Sequence, residues 1–243
     1  LDAIINESEA IMVARGDLGV EVPTQKVPAY QKSIVEKCIL ASKPVVIATQ
    51  MLESMTKNPR ATRAEVNDVA NSVIDGADAV MLSGETSVGQ YPLKAVDTMR
   101  KIIRDVEKSK HSISKNQPLR EITNKERLLS EAICSSACSI AETANAKAII
   151  AITYSGYNAI KTSSFRPNAF IYVFTHNHTI LNTLSLVWGV RGFYYDRGAT
   201  TDQTIEETIS FLKQNKLIRK NDFVVNLASM PAQEKGMTNV MKL

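Results

Sequence analysis

The sequence lacks the features that mark several classes of protein. None of its apolar runs approaches the roughly 20 residues that a transmembrane helix needs, and the longest, residues 146–153, has the length of a strand. Its start has no basic segment followed by a long apolar one, so we expect no signal peptide. Three cysteines make no disulfide framework, which favours reduced thiols in the cytoplasm. The basic residues are scattered rather than clustered with aromatic ones, so we expect neither nucleic acid nor a membrane as partner.

What the sequence does contain is an alternation of strands and helices. With 243 residues, 44% of them hydrophobic, the chain is long enough for one large domain or two ordinary ones. The apolar runs are nearly continuous, as strands buried on both faces of a parallel sheet require. In the first half, strands are predicted at 10–14, 44–49 and 78–82, and helices at 24–42, 62–75 and 92–108.

A polar segment divides the chain. Residues 109–125 lack periodicity and contain Pro118, so we place a linker at 111–125, between a first domain at 1–110 and a second at 126–243. The alternation then resumes, which predicts a separate α/β domain with a mostly parallel sheet. Its strands are predicted at 146–153, 170–174, 192–195, 223–228 and 239–243, and its helices at 126–143, 158–164, 179–186 and 202–215.

Small and polar residues follow each of the first three predicted strands. Because the carboxyl ends of parallel strands meet at one edge of a sheet, three such ends predict a site built by several loops. Asp17 suits a hard cation or a turn, and Thr49 suits either an anionic substrate or the end of its strand. Ser83 and Glu85 could belong to this site, but a tight turn accounts for them equally well. Glu53 could be catalytic, although a solvated helix start is favoured. The strand ends read Ala14-Arg15-Gly16-Asp17, Ala48-Thr49-Gln50 and Ser83-Gly84-Glu85-Thr86.

Two further patterns could bind a metal. Cys134 and Cys138 lie four residues apart on a predicted helix, but no second pair of zinc ligands accompanies them, so burial as small apolar residues is favoured. His176 and His178 follow a predicted strand as His-x-His, although isolated surface histidines are commoner than a metal site of this kind.

The strand-end segments together resemble the pyruvate kinase family. The matching stretches are IMVARGDLGVEVP at 11–23, KPVVIATQMLESM at 43–55, PRATRAEVNDVANSVIDGADAVMLSGET at 59–86 and YPLKAV at 91–96. Weaker marks follow in the same order in the second half: SG at 155–156, FRP at 165–167, VWGVRG at 187–192 and GMTNVMKL at 236–243. The resemblance covers nearly the whole chain.

This resemblance implies a fold and an activity. The fold would be the last strands and helices of a (β/α)₈ TIM barrel, followed by the C-terminal α/β domain of the family. The activity would be the last step of glycolysis, in which phosphoryl transfer from phosphoenolpyruvate to ADP gives pyruvate and ATP. The family uses Mg²⁺, for which Mn²⁺ can stand in, and usually K⁺, and its members are usually cytoplasmic homotetramers.

The resemblance also assigns roles to the strand-end residues. Asp17 would be a ligand of Mg²⁺, and the backbone at Ala14, Arg15 and Gly16 would lie against phosphoenolpyruvate. Thr49 would contact the substrate carboxylate, and Arg15 and Thr49 would be the catalytic residues. Phosphoryl transfer depends on charge neutralisation and positioning, which such groups supply. Glu53, Ser83 and Glu85 would lie at the rim near the nucleotide.

The chain departs from the family at its front. The family's earlier barrel strands supply a phosphate-binding arginine, the K⁺ ligands, a lysine and a second carboxylate for Mg²⁺, and none of these is present. Leu1 is not methionine, so we expect the chain to begin within a longer protein, and the resemblance implies that it is the C-terminal half of one. With one carboxylate for the metal, the isolated chain is expected to be inactive.

The family's C-terminal domain often binds a sugar phosphate at a loop after its first strand. Here the corresponding phosphate-binding residues would be Thr153, Ser155, Gly156 and Asn158, at the start of a helix where backbone N–H groups favour anions. A basic residue often stands in place of Tyr154 in regulated relatives, and a hydroxyl in place of Asn158, which weakens this expectation.

Two other functions stay open. The chain could be a non-catalytic module that binds a phosphorylated ligand, or a metal-dependent (β/α)₈ lyase or aldolase. The segments at 10–96 count against a binding module, and ADP-dependent formation of pyruvate would separate a kinase from a lyase.

Overall fold

The structure is a computed structural model that describes residues 1–109, 128–196, 200–229 and 238–243. The chain divides into two compact units, residues 1–116 and 117–243. The predicted linker at 111–125 lies outside the described residues, as do the first two residues of the helix predicted at 126–143.

The first unit alternates helices with three parallel strands in the order β1-β2-β3. The strands are β1 (Ile11–Ala14), β2 (Val45–Ala48) and β3 (Ala79–Val80). The helices are α1 (Asp2–Glu7), α2 (Arg15–Glu21), α3 (Val27–Ala41), α4 (Arg63–Ile74), α5 (Gly84–Ser87) and α6 (Pro92–Lys108), with 3₁₀ turns at Thr24–Lys26 and Glu53–Thr56.

Local sequence signals explain several of these boundaries. The Thr62 side chain accepts a hydrogen bond from the Glu65 N–H at 3.2 Å, and the Glu65 carboxylate accepts one from the Thr62 N–H at 2.7 Å. Together these two bonds form a capping box at the start of α4. Helix α6 has the predicted bounds and begins with Pro92, whose missing N–H is not needed in the first turn. The predicted strand at 78–82 is only two residues long.

Central strand β2 is more deeply buried than edge strand β1. Val45, Ile47 and Ala48 are inaccessible to solvent, and Val45 and Ile47 pack in a core with Val35 and Met55. Met12 in β1, predicted to be buried, is 56% exposed, because β1 has a paired neighbour on one side only in this sheet.

The second unit is a five-stranded sheet in the order β6-β5-β4-β7-β8. Strands β4 to β7 are parallel and β8 is antiparallel to β7, as the mostly parallel prediction required. The strands are β4 (Ala148–Ile152), β5 (Phe170–Thr175), β6 (Val190–Tyr194), β7 (Val224–Ala228) and β8 (Val240–Lys242). The helices are α7 (Leu128–Thr143), α8 (Tyr157–Ser164), α9 (His178–Leu184) and α10 (Thr201–Gln214).

Strand β4 forms the centre of this unit. Ile149 belongs to the same buried cluster as Cys134 and Ala137 of α7, whereas Ile150 belongs to a cluster with Leu212 of α10. Adjacent residues therefore pack on opposite faces of the sheet, which is the burial on both sides that a continuous apolar strand predicts. None of the helices in the described parts of the chain has the length and apolar character needed to cross a membrane.

Candidate active site at the carboxyl ends of β1 to β3

The carboxyl ends of β1 and β2 lie side by side. Ala14 and Ala48 are partners in the parallel register, so the residues that follow them start from the same edge of the sheet. Helix α2 begins directly at Arg15, where the sequence predicted a loop. The Gly16 N–H donates a hydrogen bond to Thr49 Oγ1 at 3.1 Å, which joins the first two strand ends as predicted from their order.

The Arg15 guanidinium is held on several sides. Nη1 donates to both carboxylate oxygens of Asp68 on α4, at 2.7 and 2.6 Å, and the Arg15 side chain is 12% exposed. Nη2 donates to the Thr49 carbonyl at 2.6 Å and contacts Met51 Sδ at 2.9 Å, and Nε donates to the Thr49 carbonyl at 3.2 Å. Each of the three guanidinium nitrogens therefore has a partner within the protein.

Thr49 and Gln50 form a strained turn. Their φ angles are 69° and 54°, in the left-handed region that disfavours side chains with a Cβ, above all a β-branched one. Each such residue costs about 1–2 kcal/mol and persists where neighbouring contacts hold it. The bonds from Arg15 to the Thr49 carbonyl supply that restraint.

Asp17 lies in the first turn of α2 and is exposed to solvent. Its carboxylate can supply one oxygen ligand to Mg²⁺, which binds proteins through one or two carboxylates and fills its other positions with water and substrate phosphate oxygens. Among the described residues no group of three or more His, Cys, Asp or Glu side chains could hold a metal ion. Asp17 therefore fits part of a magnesium site and does not complete one.

The predicted rim residues have different environments. Glu53 is exposed at the start of its 3₁₀ turn, and Ser83 is half-buried just before α5. Glu85 is only 1% exposed, and its carboxylate accepts hydrogen bonds from the N–H groups of Leu52 at 3.0 Å and Ser83 at 2.8 Å. Glu85 thus joins the loops after β2 and β3 instead of lying on an exposed rim.

Sequence reasoning missed Asp68 as a partner in this region and the second role of Glu65. The Glu65 carboxylate also accepts bonds from the Ser54 N–H and hydroxyl, both at 2.6 Å, which ties α4 to the 3₁₀ turn. Burial raises the pKa of the Glu65 carboxyl, but the hydrogen bonds from Ser54 and Thr62 outweigh it, so the net pKa is lowered. The capping pattern pointed to Glu65 locally, whereas nothing local connects Asp68 with Arg15.

In the second unit, the predicted phosphate loop bonds mainly to itself. Thr153 Oγ1 accepts from the Gly156 N–H at 3.0 Å, and Ser155 Oγ accepts from the Tyr157 N–H at 3.4 Å. Asn158 is buried, and its Nδ2 donates to the Ile152 carbonyl at 3.3 Å and to Thr238 Oγ1 at 3.0 Å. The four predicted residues are brought together. The N–H groups of Gly156 and Tyr157 are already bonded within the loop, whereas the buried Asn158 Oδ1 has no hydrogen-bond partner among the described residues.

The cysteines and histidines of the second unit pack against neighbouring side chains. Burial raises the pKa of Cys134 to about 11 and raises that of Cys138 further, as expected of small buried side chains. His176 packs against Tyr154, with ring centroids 5.2 Å apart, and His178 stacks on Tyr194 at 4.4 Å. Tyr154 follows β4 and Tyr194 lies in β6, on opposite sides of β5, so the two histidines turn towards different neighbours.

The first unit is therefore an α/β structure in which polar groups gather at the carboxyl ends of parallel strands, the arrangement typical of α/β enzymes. The family description "Pyruvate kinase, barrel domain" matches residues 1–96, and "Pyruvate kinase, alpha/beta domain" matches residues 131–243. The chain belongs to the pyruvate kinase family, and the predicted fold class is confirmed.

Individual relatives agree with this assignment. A pyruvate kinase of Clostridium acetobutylicum is 41% identical over 244 residues, and the alignment covers 100% of this chain and 51% of the relative. A pyruvate kinase of Geobacillus stearothermophilus is 41% identical over 244 residues, and the alignment covers 100% of this chain and 41% of the relative. A crystal structure of a pyruvate kinase from Cryptosporidium parvum has a TM-score of 0.87 and 37% identity, over 99% of this chain and 48% of that one. The chain spans about half the length of the relatives it matches.

Proposed function

We propose that this chain is part of a pyruvate kinase that transfers the phosphoryl group of phosphoenolpyruvate to ADP, giving pyruvate and ATP. The observation that carries the proposal is the contact between the first two strand ends, where the Gly16 N–H meets Thr49 Oγ1. This contact brings a helix N-terminus and a hydroxyl together beside an exposed carboxylate, Asp17. Such groups bind and orient an anionic substrate, which is what phosphoryl transfer demands of a protein.

Thr49 and the start of α2 would bind the substrate. The Thr49 hydroxyl accepts a bond from Gly16 and keeps its own hydrogen to donate, so it can contact a carboxylate oxygen. The backbone from Ala14 to Gly16 lies at the N-terminus of α2, where the partial positive charge of the helix favours an anion.

Asp17 would be one protein ligand of Mg²⁺. When bound, this ion supplies charge neutralisation for the transferring phosphoryl group. The other protein ligand, and the K⁺ site that the family resemblance implies, would come from the part of the relatives that this chain does not span.

Arg15 would act through the position of Thr49. Its side-chain donors are engaged by Asp68 and by the Thr49 carbonyl, so it holds the strained turn rather than contacting substrate with its guanidinium. Its contribution to binding would come from its backbone at the start of α2. Glu53 and Ser83 stay candidates for contacts near the nucleotide.

Other properties of the parent protein are proposed from the same family membership. Homotetramers are proposed because the resemblance implies them, and a cytoplasmic location agrees with three free cysteines, Cys38, Cys134 and Cys138. Binding of a sugar phosphate at Thr153, Ser155, Gly156 and Asn158 would use the hydroxyl hydrogens of Thr153 and Ser155, whose oxygens accept bonds within the loop, whereas the Gly156 N–H would have to leave Thr153 Oγ1.

A chimaera tests the proposed activity. The segment of the Geobacillus stearothermophilus relative that precedes the matched region would be fused to this chain, and pyruvate would be measured with lactate dehydrogenase and NADH. We expect turnover that requires both ADP and Mg²⁺, and none from the isolated chain. Asp17→Asn should lower kcat at least about 100-fold, since it removes a charge from the metal site.

Asp105→Asn is the matched control, because Asp105 is an exposed carboxylate on the surface of α6. Its activity should equal that of the unmodified chimaera. Pyruvate released from a hydroxylated 2-oxo acid, with neither phosphoenolpyruvate nor ADP present, would identify a lyase or aldolase instead. A folded chimaera that binds a phosphorylated ligand without turnover would favour the binding module.

A further inference from the structure

Glu85 is a buried carboxylate whose hydrogen bonds go to backbone N–H groups. It lies in the first turn of α5 and is 1% exposed, a position that acidic side chains rarely take unless their oxygens are satisfied. Oε1 accepts from the Leu52 N–H and Oε2 from the Ser83 N–H. This single side chain therefore links the loop after β2 to the loop after β3.

The loop after β2 is the one that contains the strained turn. Thr49 and Gln50 have positive φ angles, and Leu52 follows two residues later with its side chain fully buried. Arg15 fixes the start of this loop by its bonds to the Thr49 carbonyl, and Glu85 fixes its far end at the Leu52 N–H. A turn of two left-handed non-glycine residues persists only where the surrounding structure restrains it.

We propose that Glu85 is a positioning residue for Thr49. By anchoring Leu52, its carboxylate holds the turn in the conformation that places Thr49 Oγ1 against the Gly16 N–H. The inference rests on the proposed function for the meaning of that contact, but the contact itself can be observed without any activity.

The chemistry of the site calls for a carboxylate. Each of the two N–H groups needs an acceptor, and an ionised carboxylate offers acceptors on both oxygens. Glutamine has the same shape but only one acceptor oxygen, so Glu85→Gln leaves one N–H facing an NH₂ group. The variant changes the bonding with almost no change in volume.

Nuclear magnetic resonance on the full 243-residue chain tests the proposal. In Glu85→Gln we expect hydrogen-exchange protection at Leu52 or Ser83 to fall at least about tenfold. The Gly16 amide proton should shift upfield as its bond to Thr49 lengthens, and the coupling constants that report φ at Thr49 and Gln50 should change.

Glu65→Gln is the matched control. Glu65 also accepts from two backbone N–H groups, but these belong to Ser54 and Thr62, outside the Thr49 turn. Both variants should lower the melting temperature, by roughly 5–10 °C for the loss of one charge-assisted bond. The signals of Gly16, Thr49 and Gln50 should change in Glu85→Gln alone.

The alternatives give different results. Unchanged signals at Gly16 and Thr49 in a destabilised Glu85→Gln would show that Glu85 only stabilises the fold, and equal changes in Glu65→Gln would show general loosening. Either result overturns the proposal. If Glu85→Gln does not fold, Glu85→Asp is measured by the same signals, because its carboxylate is one methylene too short to reach both N–H groups. An inactive chimaera would contradict the proposed kinase function, but it would not contradict the role of Glu85, because these spectra are recorded on the isolated chain and need no activity.

Discussion

The ion pair between Arg15 and Asp68 should stabilise the strand-end turn, and Asp68→Asn tests this. The substitution keeps the size of the side chain but removes its charge and one acceptor, so one of the two bonds from Nη1 is lost. A charge-assisted hydrogen bond contributes about 1.5–3 kcal/mol. The side chain of Asp68 is 34% exposed, so water replaces part of the interaction and the lower end, about 1.5–2 kcal/mol, is expected.

Urea unfolding and hydrogen exchange would measure this effect. For a domain of about 110 residues, that loss corresponds to a fall of roughly 6–9 °C in melting temperature. Exchange should accelerate most in the segment that contains Thr49 and Met51, because Arg15 contacts both. Asp97→Asn is the control: Asp97 pairs with Arg100 and Lys101 on the exposed surface of α6, and its loss should have no measurable effect.

Two results would refute this role for the ion pair. One is a loss of stability in Asp68→Asn no larger than that in Asp97→Asn. The other is a lower melting temperature with unchanged exchange around Thr49, since the pair would then stabilise α4 without restraining the turn.

Three further predictions concern single groups. The pKa of Glu65 is lower in the folded state, so its contribution to stability is present above the unfolded pKa of about 4.3 and is lost as the pH falls through the folded pKa. Glu65→Gln should therefore reduce the loss of stability at acid pH, measured as the free energy of unfolding against pH. An unchanged acid dependence would contradict this. Burial raises the pKa of Cys38 and of Cys134 to about 11, so both thiols should resist a disulfide reagent at about pH 8 in the folded chain and react with it in urea. Rapid reaction of either thiol in the folded chain would contradict its burial. Gly156 has a φ of 78°, and an added Cβ would lie 2.9 Å from Ile180 Cγ2, so Gly156→Ala should lower the free energy of unfolding by more than about 1 kcal/mol; calorimetry showing an unchanged melting temperature would refute this.

The sequence predicts the elements that carry their own start and stop signals. Pro92 begins α6, and Thr62 with Glu65 begins α4, so both helices lie within one residue of their predicted starts. Helix α2 was missed because Gly16 and Gly19 disfavour a helix in isolation, by about 1 kcal/mol each. Tertiary contacts outweigh that preference: Leu18 packs on the core, and Gly16 bonds to Thr49.

The location of the candidate site at the strand ends could be predicted from the sequence, but the contacts between its side chains could not. Parallel order alone brings Gly16 and Thr49 to one edge, because their strands are in register at Ala14 and Ala48. The partner of Arg15 is 53 positions away on a helix, and no local pattern shows which acid it meets. The buried state of Glu85 was equally hidden, since its neighbours in the sequence are those of an ordinary turn.

Four of the acidic residues around the strand ends fall into two pairs, one whose carboxylates are held by protein groups and one whose carboxylates are exposed to solvent. Glu85 is buried against backbone N–H groups and Asp68 is paired with Arg15, so both are committed to the conformation of the Thr49 turn. Asp17 and Glu53 are exposed. A carboxylate that must exchange water for a metal or a substrate needs such access, whereas one that holds a strained backbone must not be displaced by a ligand. Asp17, in the same helical turn as the Gly16–Thr49 contact, is therefore the acid whose replacement should lower metal-dependent turnover in the chimaera without disturbing Thr49. Replacement of Asp68 or Glu85 should disturb Thr49 first.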